Sequence, residues 1–170
     1  LAEKKEIDKI TVQDIVALSE INRKSFYYHF PDISSLIRYI FDEELDSYLQ
    51  HNPATSADFP EIASYLLSNN MYYSRIFASK EGEMMERHIF LLYYNCCKRD
   101  FLNSCERMNV PFDENRMRPN IQYFANAGCQ TVMGVIKRGE GLSSDARTDY
   151  MEKHRKMSED LIDHLITNYL

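Results

Sequence analysis

The sequence predicts an all-α protein, with a small N-terminal helix-turn-helix domain followed by a larger helical body. The 170 residues include only five Gly and five Pro, so long segments are free of helix-breaking residues. Apolar residues recur at spacings of three and four, as on the buried face of a helix. No run of alternating apolar and polar residues indicates a strand.

Charge and cysteine content exclude several kinds of protein. The net charge of −6 means that the protein as a whole repels nucleic acid, so any DNA binding must come from a local basic patch. The four Cys form no CxxC pair and no zinc-ligand spacing. Without a signal peptide or an apolar run of about 18 residues, we expect a cytoplasmic protein that does not enter the membrane.

The first elements are short helices with capping signals. Residues 1–9 look like the end of a helix whose start precedes Leu1. The next helix begins after Thr11, a potential cap, and Asp14 stands at the position that completes a capping box. The residues around Glu20 then make the connection to the following helix.

A second short helix is predicted within residues 22–31. Asn22 is a favourable N-cap, and Pro31 disfavours helical geometry at the residue before it. Phe26 and Phe30 are four apart and share an inward face. Two short helices joined by a tight turn match a helix-turn-helix. The remaining side chains of the second helix form an exposed surface: Arg23, Lys24, Ser25, Tyr27, Tyr28 and His29.

A longer helix and a domain boundary follow. Asp32 can cap a helix that continues to Leu49 with apolar residues at helical spacing. The segment 51–58 has the composition of a loop, so we place a DNA-binding domain in residues 1–50 and an effector-binding and dimerisation domain in residues 51–170. The predicted body helices are Phe59–Asn69, Met71–Phe77, Glu81–Met108, Pro119–Lys137 and Asp145–Leu170.

The N-terminal motifs resemble those of the TetR family of transcriptional regulators. The resemblance covers residues 7–48 and depends on Thr11-Val-Gln-Asp-Ile15, on Phe26-Tyr-Tyr-His-Phe30 and on Leu36. Within that family, the sequence of residues 22–30 is most similar to the corresponding sequence in the regulators of dihydroxyacetone kinase operons. The remaining two-thirds of the chain matches the family in helix order.

This resemblance implies a homodimer that binds a palindromic operator in double-stranded DNA. It implies that Thr11, Tyr27 and His29 hold phosphates, whereas Arg23, Lys24, Ser25 and Tyr28 face the major groove. The family usually has Gly at the position of Glu20, and it often has Gly at the position of Lys24. The segment after Lys137 is also shorter than usual and lacks the frequent Trp, so we expect the dimer surface of this chain to differ in detail from that of the family.

Two sets of body residues are candidates for sites. Small residues on one predicted helix allow close helix approach and, with apolar residues of the last helix, indicate a dimer interface; the alternative is an intramolecular core. This set comprises Ala127, Gly128, Thr131, Val135, Met157, Leu161 and Leu165. Aromatic and Met residues with polar neighbours suit a small-molecule effector pocket, or simply an ordinary core. That set comprises Met85, His88, Leu92, Asn95, Tyr123 and Phe124.

Catalytic and metal chemistry find little support in the sequence. The body His residues form no metal-binding pair at helical spacing, and Cys96 and Cys105 fall on opposite faces of one helix. We therefore predict no enzyme activity, catalytic residue, metal or cofactor. The predicted function is a ligand-responsive transcriptional regulator. The alternatives are a regulator of the same fold controlled by a protein partner and, with less support, an all-α enzyme.

Overall fold

The computed structural model describes residues 1–2, 4–49, 66, 68–138 and 144–169. Within these ranges all regular structure is helical, which confirms the predicted fold class. The predicted domain boundary at residues 50–51, most of the predicted helix Phe59–Asn69 and the glycines after Arg138 lie outside the described residues. The helices are α1 (Val12–Ser19), α2 (Arg23–His29), α3 (Ile33–Leu49), α4 (Asn70–Phe77), α5 (Gly82–Met108), α6 (Glu114–Arg138) and α7 (Ser144–Tyr169).

The start of α1 is fixed by a reciprocal capping box. The Thr11 hydroxyl accepts a hydrogen bond from the Asp14 backbone N–H (3.2 Å), and the Asp14 carboxylate accepts one from the Thr11 N–H (2.8 Å). Lys5 Nζ lies 2.6 Å from the same carboxylate. The hydrogen bonds from Lys5 and Thr11 lower the pKa of Asp14 to about 2, so the carboxylate that holds the cap stays ionised well below neutral pH.

The turn between α1 and α2 contains one residue in the left-handed conformation. Glu20 ends α1 in the left-handed region, with φ 57°, where glycine is usually preferred. Asn22 then caps α2, because its side-chain oxygen accepts a hydrogen bond from the Ser25 N–H at 2.8 Å. The helix ends at Phe30, which is extended (φ −131°, ψ 119°) before Pro31, as the steric effect of proline on the preceding residue requires.

The segment before α1 differs from the sequence prediction. Where the end of an α-helix is predicted in residues 1–9, the structure has a 3-10 helix at Ile7–Lys9. Its Ile7 side chain is buried and joins the main core. An apolar groove of about 620 Å³ remains open beside it, lined by residues that include Ile10, Ile15, Leu36, Ile40 and Tyr72.

The body is built on α5, which is buried along most of its length between its neighbours. Lys98 pairs with Glu114 near the start of α6 (2.7 Å), whereas Glu86 accepts hydrogen bonds from Gln130 (2.9 Å) and Lys137 (3.2 Å) near its end. These pairings show that α5 and α6 run antiparallel. Between them lies a continuous apolar core that includes Ile89, Tyr93, Phe101, Ile121, Cys129 and Ile136.

The predicted start of α6 is wrong. The helix begins before Pro119, at Glu114, because the Asp113 carboxylate accepts hydrogen bonds from the N–H groups of Asn115 (3.0 Å) and Arg116 (3.3 Å). This side-chain cap satisfies N–H groups that have no partner within the first turn. Pro119 therefore lies inside the helix, in its second turn, where it removes the backbone hydrogen bond to the Asn115 carbonyl.

The N-terminal helices are joined to the body through α3. The hydroxyl of Ser34 donates a hydrogen bond of 2.5 Å to Glu81, whose side chain is only 9% exposed. Two turns further along, His88 Nε2 lies 3.6 Å from Asp42 Oδ1, and the ring of Phe41 packs edge-on against His88. Ser34 lies before Asp42 in α3, and its partner Glu81 lies before His88, the partner of Asp42. Helices α3 and α5 therefore run in the same direction. Ile37 and Phe41 belong to the same core as the body helices.

Candidate nucleic-acid interface

Helix α2 is anchored through one aromatic residue and exposes almost everything else. Phe26 is 2% exposed and contacts the rings of Tyr27 (5.4 Å between centroids) and Phe30 (5.9 Å). This anchor fixes the rotation of the helix, because residues three and four apart share a face. The side chains on the outer surface are Arg23, Lys24, Tyr27, Tyr28 and His29, with Ser25 partly covered.

The exposed surface has two parts, which lie next to each other around the helix. In one part, the guanidinium carbon of Arg23 lies over the Tyr27 ring, 5.6 Å from its centroid, and Arg23 Nη2 donates to the Tyr27 hydroxyl at 3.4 Å. The other part is a shallow cleft of about 210 Å³. The cleft is lined by Asn22, Lys24, Ser25, Tyr28 and His29.

The charge of this surface is not neutralised within the described part of the chain. Neither Arg23 nor Lys24 forms an ion pair there, and the first turn of α2 has no acidic residue. Two acids of the segment before α2 have partners of their own: Asp14 binds Lys5, and Asp8 accepts a hydrogen bond from the Lys80 N–H at 3.3 Å. Two cations beside the positive end of a helix favour an external anion such as a phosphate.

Thr11 is placed differently from the other predicted DNA-contacting residues. Its hydroxyl donates to Asp14 Oδ2 at 2.7 Å, and its backbone N–H donates to the same oxygen at 2.8 Å. Both hydrogen-bond donors of Thr11 are thus used inside the capping box. Contact between Thr11 and a phosphate, as the family resemblance implies, would require one of these donors to turn outward.

The predicted effector-pocket residues occupy different environments. Met85 is fully buried, whereas Tyr123 is 72% exposed. His88 is half-buried, and its Nδ1 lies 3.4 Å from the Met84 carbonyl oxygen. Leu92 and Phe124 are partly buried at the edge of the core, and Asn95 is exposed. The six residues are therefore spread over the core and the surface of α5 and α6, and the pocket stays a prediction.

The predicted dimer residues are likewise divided between interior and surface. Met157 and Leu161 on α7 are 54% and 45% exposed, while Leu165 packs against the core. Gly128 is buried on α6, and a Cβ added there would lie 2.6 Å from the Tyr93 ring of the same chain. Ala127 is exposed and Thr131 partly so; the side chain of Val135 lies outside the described residues.

Two contacts at these sites were missed in the sequence. The stacking of Arg23 on Tyr27 was accessible from spacing, because residues four apart in a helix are neighbours. The hydrogen bond between Ser34 and Glu81 joins residues far apart in the chain, and no local pattern marks such a pair. Its only sequence signal is a Ser in the first turn of α3.

The described residues offer no metal site, exposed thiol or membrane-spanning helix. No cluster of three or more His, Cys, Asp or Glu side chains there could hold a metal ion. The four Cys are buried, and burial raises the pKa of Cys129 to about 11. None of the helices described is both apolar enough and long enough to cross a membrane.

Comparison with known proteins relates the chain to a regulator through its fold. No protein-family model matches the sequence, and no curated protein matches it. Among solved structures, the dihydroxyacetone kinase operon activator DhaS is similar, with a TM-score of 0.74 over 95% of this chain and 89% of that one. The sequence identity is 18%, so the comparison establishes a shared fold over nearly the full length of both chains.

Proposed function

We propose that this protein is a TetR-like transcriptional regulator that binds operator DNA through α2. The observation that carries the proposal is the exposed surface of α2, where two cations and three further polar aromatic or imidazole side chains have no acidic partner in the described structure. Arg23 suits bidentate contact with guanine, and the Tyr and His side chains suit phosphates. The fold shared with a protein named as an operon activator supports the same function.

The operator-binding form is a homodimer. One short helix covers only a few base pairs, and helix-turn-helix proteins gain affinity by placing two heads on half-sites about 34 Å apart. The exposed Met157 and Leu161 line an open groove of about 420 Å³ on α7, together with Lys153, Lys156 and Asp160. Paired with the same surface of a second copy, these apolar side chains would be removed from water.

The body transmits a signal to the DNA-binding helices, and a small-molecule effector is the primary candidate. Its proposed site uses the partly buried side chains of α5 around His88, which contacts α3 through Phe41 and Asp42. An effector that binds one arrangement of this contact more tightly would shift the spacing of the two heads. Such a regulator would act in the cytoplasm, where the operator is accessible.

Control by a protein partner is the second candidate, and a specific observation favours it. Met71 and Leu91 are 59% and 47% exposed, and neither belongs to the proposed dimer surface. A contiguous apolar patch outside a dimer interface is typical of a site for another protein, so this candidate requires Met71 and Leu91 to belong to one patch. In that case the body core would be filled, and the signal would be read from its outer surface.

Substitution of Arg23 tests the proposed function. A duplex would be selected from a random pool with the wild-type protein, and binding of fluorescent duplexes would be measured by anisotropy. Arg23→Ala should reduce the preference for the correct base over a wrong base at one position of the duplex by roughly 5- to 150-fold, as expected for loss of a bidentate contact. The control is Arg38→Ala, which removes an exposed Arg of α3. If both variants kept wild-type affinity and base preference, α2 would not be the reading helix.

A further inference from the structure

The placement of Arg23 over Tyr27 assigns Tyr27 a role beyond holding a phosphate. We infer that the Tyr27 ring positions the Arg23 guanidinium for base reading, so that Tyr27 determines sequence preference through Arg23. The inference rests on the proposed DNA-binding function of α2 and specifies how its surface works. It concerns the free protein, because the contact is present without DNA.

The positioning begins in the core. Phe26 is 2% exposed, and its ring meets the Tyr27 ring at an interplanar angle of 88°. Edge-to-face contact with a buried ring restricts the orientation of Tyr27, which is itself 46% exposed. The core is thus connected through Phe26 and Tyr27 to the guanidinium of Arg23.

The contact suits a guanidinium that must read a base. An Arg side chain has many rotamers, and holding it over a ring removes most of them before DNA arrives. The guanidinium carbon lies 5.6 Å from the centroid of the Tyr27 ring, and one N–H is used by the Tyr27 hydroxyl at 3.4 Å. The other N–H groups stay free for the two acceptors that guanine presents in the major groove.

The Tyr27 hydroxyl has a second capability in this arrangement. It accepts a hydrogen bond from Arg23, so its own proton remains available to a phosphate oxygen. One side chain could then fix the backbone register and orient the base-reading group. Lys24 has no ring contact of this kind in the described structure, and its flexible ammonium is expected to add affinity without strong base preference.

Two substitutions separate the ring from the hydroxyl. Tyr27→Phe keeps the ring and loses the hydroxyl, whereas Tyr27→Leu loses both but keeps an apolar side chain next to Phe26. Affinities are measured on the selected duplex and on its single-base-pair variants. We expect Tyr27→Phe to weaken all duplexes alike and to retain base preference. Tyr27→Leu should lose about tenfold of the discrimination at the base pair that Arg23→Ala affects.

A double-mutant cycle and a DNA-free measurement complete the test. Adding Arg23→Ala to Tyr27→Leu should cause no further loss of discrimination, because the two residues act together. In the free protein, NMR signals of the Arg23 side-chain protons should show a ring-current shift that persists in Tyr27→Phe and disappears in Tyr27→Leu. Tyr28→Leu is the matched control, because the Tyr28 ring contacts His29 rather than Arg23, so this substitution should leave that shift unchanged.

The outcomes distinguish this inference from the proposed function. Tyr27 does not position Arg23 if Tyr27→Leu keeps the base preference of the wild type, or if its effect adds fully to that of Arg23→Ala. In either case the proposed DNA-binding function is still supported. If the wild-type protein selects no duplex, the proposed function fails and the inference fails with it. Circular dichroism of each variant verifies that α2 and the rest of the fold are retained.

Discussion

Glu20 has a backbone conformation that a side chain makes costly. Its φ of 57° brings the Cβ close to the following carbonyl oxygen. This steric contact costs about 1 kcal/mol or more of stability. The left-handed turn is therefore kept even though the residue most suited to it is absent. The capped start of α2 at Asn22 and the buried Phe26 hold the chain on the other side of the turn.

Replacing Glu20 with Gly should stabilise the protein. Glycine removes the steric cost but loses more backbone entropy on folding, so we expect a net gain of roughly 0.5–1 kcal/mol in the free energy of unfolding. Urea denaturation followed by circular dichroism measures it. Asn109→Gly is the matched control, since Asn109 has φ 56° and asparagine tolerates this region well. Equal gains at both positions would contradict the proposed strain at Glu20.

Local residue patterns explain which parts of the candidate site could be predicted. The caps at Thr11 and Asn22 depend on side chains three residues from their partners, and the sequence displays that spacing directly. The same spacing rules place Arg23 beside Tyr27. The same spacing predicts the cap formed by Thr11 and Asp14, but it does not show that this cap uses the donors Thr11 would need for a phosphate.

For whole helices, the sequence predicts the presence of each helix better than the residues at which it begins and ends. Helix α5 was predicted from its apolar spacing, and its observed range, Gly82–Met108, agrees within one residue. The predicted start of α6 at Pro119 is wrong, because the Asp113 side chain caps the helix further upstream. Contacts between helices, such as Arg107 with Asp163 at 2.5 Å, depend on tertiary packing that no local pattern specifies.

The packing of α5 against α6 gives a prediction for Gly128. A Cβ at this position would lie 2.6 Å from Cδ1 of Tyr93, closer than carbon atoms can approach without movement. Alanine is the better helix former by about 1 kcal/mol, but overpacking costs about 1–3 kcal/mol. We therefore expect Gly128→Ala to lower the free energy of unfolding by about 1 kcal/mol, as measured by urea denaturation.

A second substitution tests the cause of that loss. In a Tyr93→Leu background the ring is absent, so Gly128→Ala should cost less than it does in the wild type. If the cost were the same in both backgrounds, the ring would not be the obstacle. A change in dimer dissociation without loss of stability would instead place Gly128 at the interface between subunits.

For the molecule as a whole, the attachment of α3 to α5 decides how a signal could reach DNA. Ser34 and Asp42 contact α5 about two turns apart, and Ile37 and Phe41 between them enter the common core. A helix held at two points along its length resists pivoting about either one. In the proposed regulator, a movement of α5 would be transmitted to α3 through these contacts.

The dimer proposal is tested by placing a charge on α7. Leu161 is 45% exposed beside Met157, and Leu161→Glu would bring two carboxylates into the interface of a symmetric pair, where their desolvation is costly. We expect a monomer in sedimentation equilibrium and a roughly 10²-fold or larger loss of affinity for the selected duplex, because the second head no longer adds avidity. Leu91→Glu is the matched control, since Leu91 is 47% exposed on α5, away from that surface. It should leave the dimer intact.

The two substitutions together decide which helix forms the interface. If Leu91→Glu dissociated the dimer and Leu161→Glu did not, the subunits would pair through α5, and the face we propose for a protein partner would be the dimer interface.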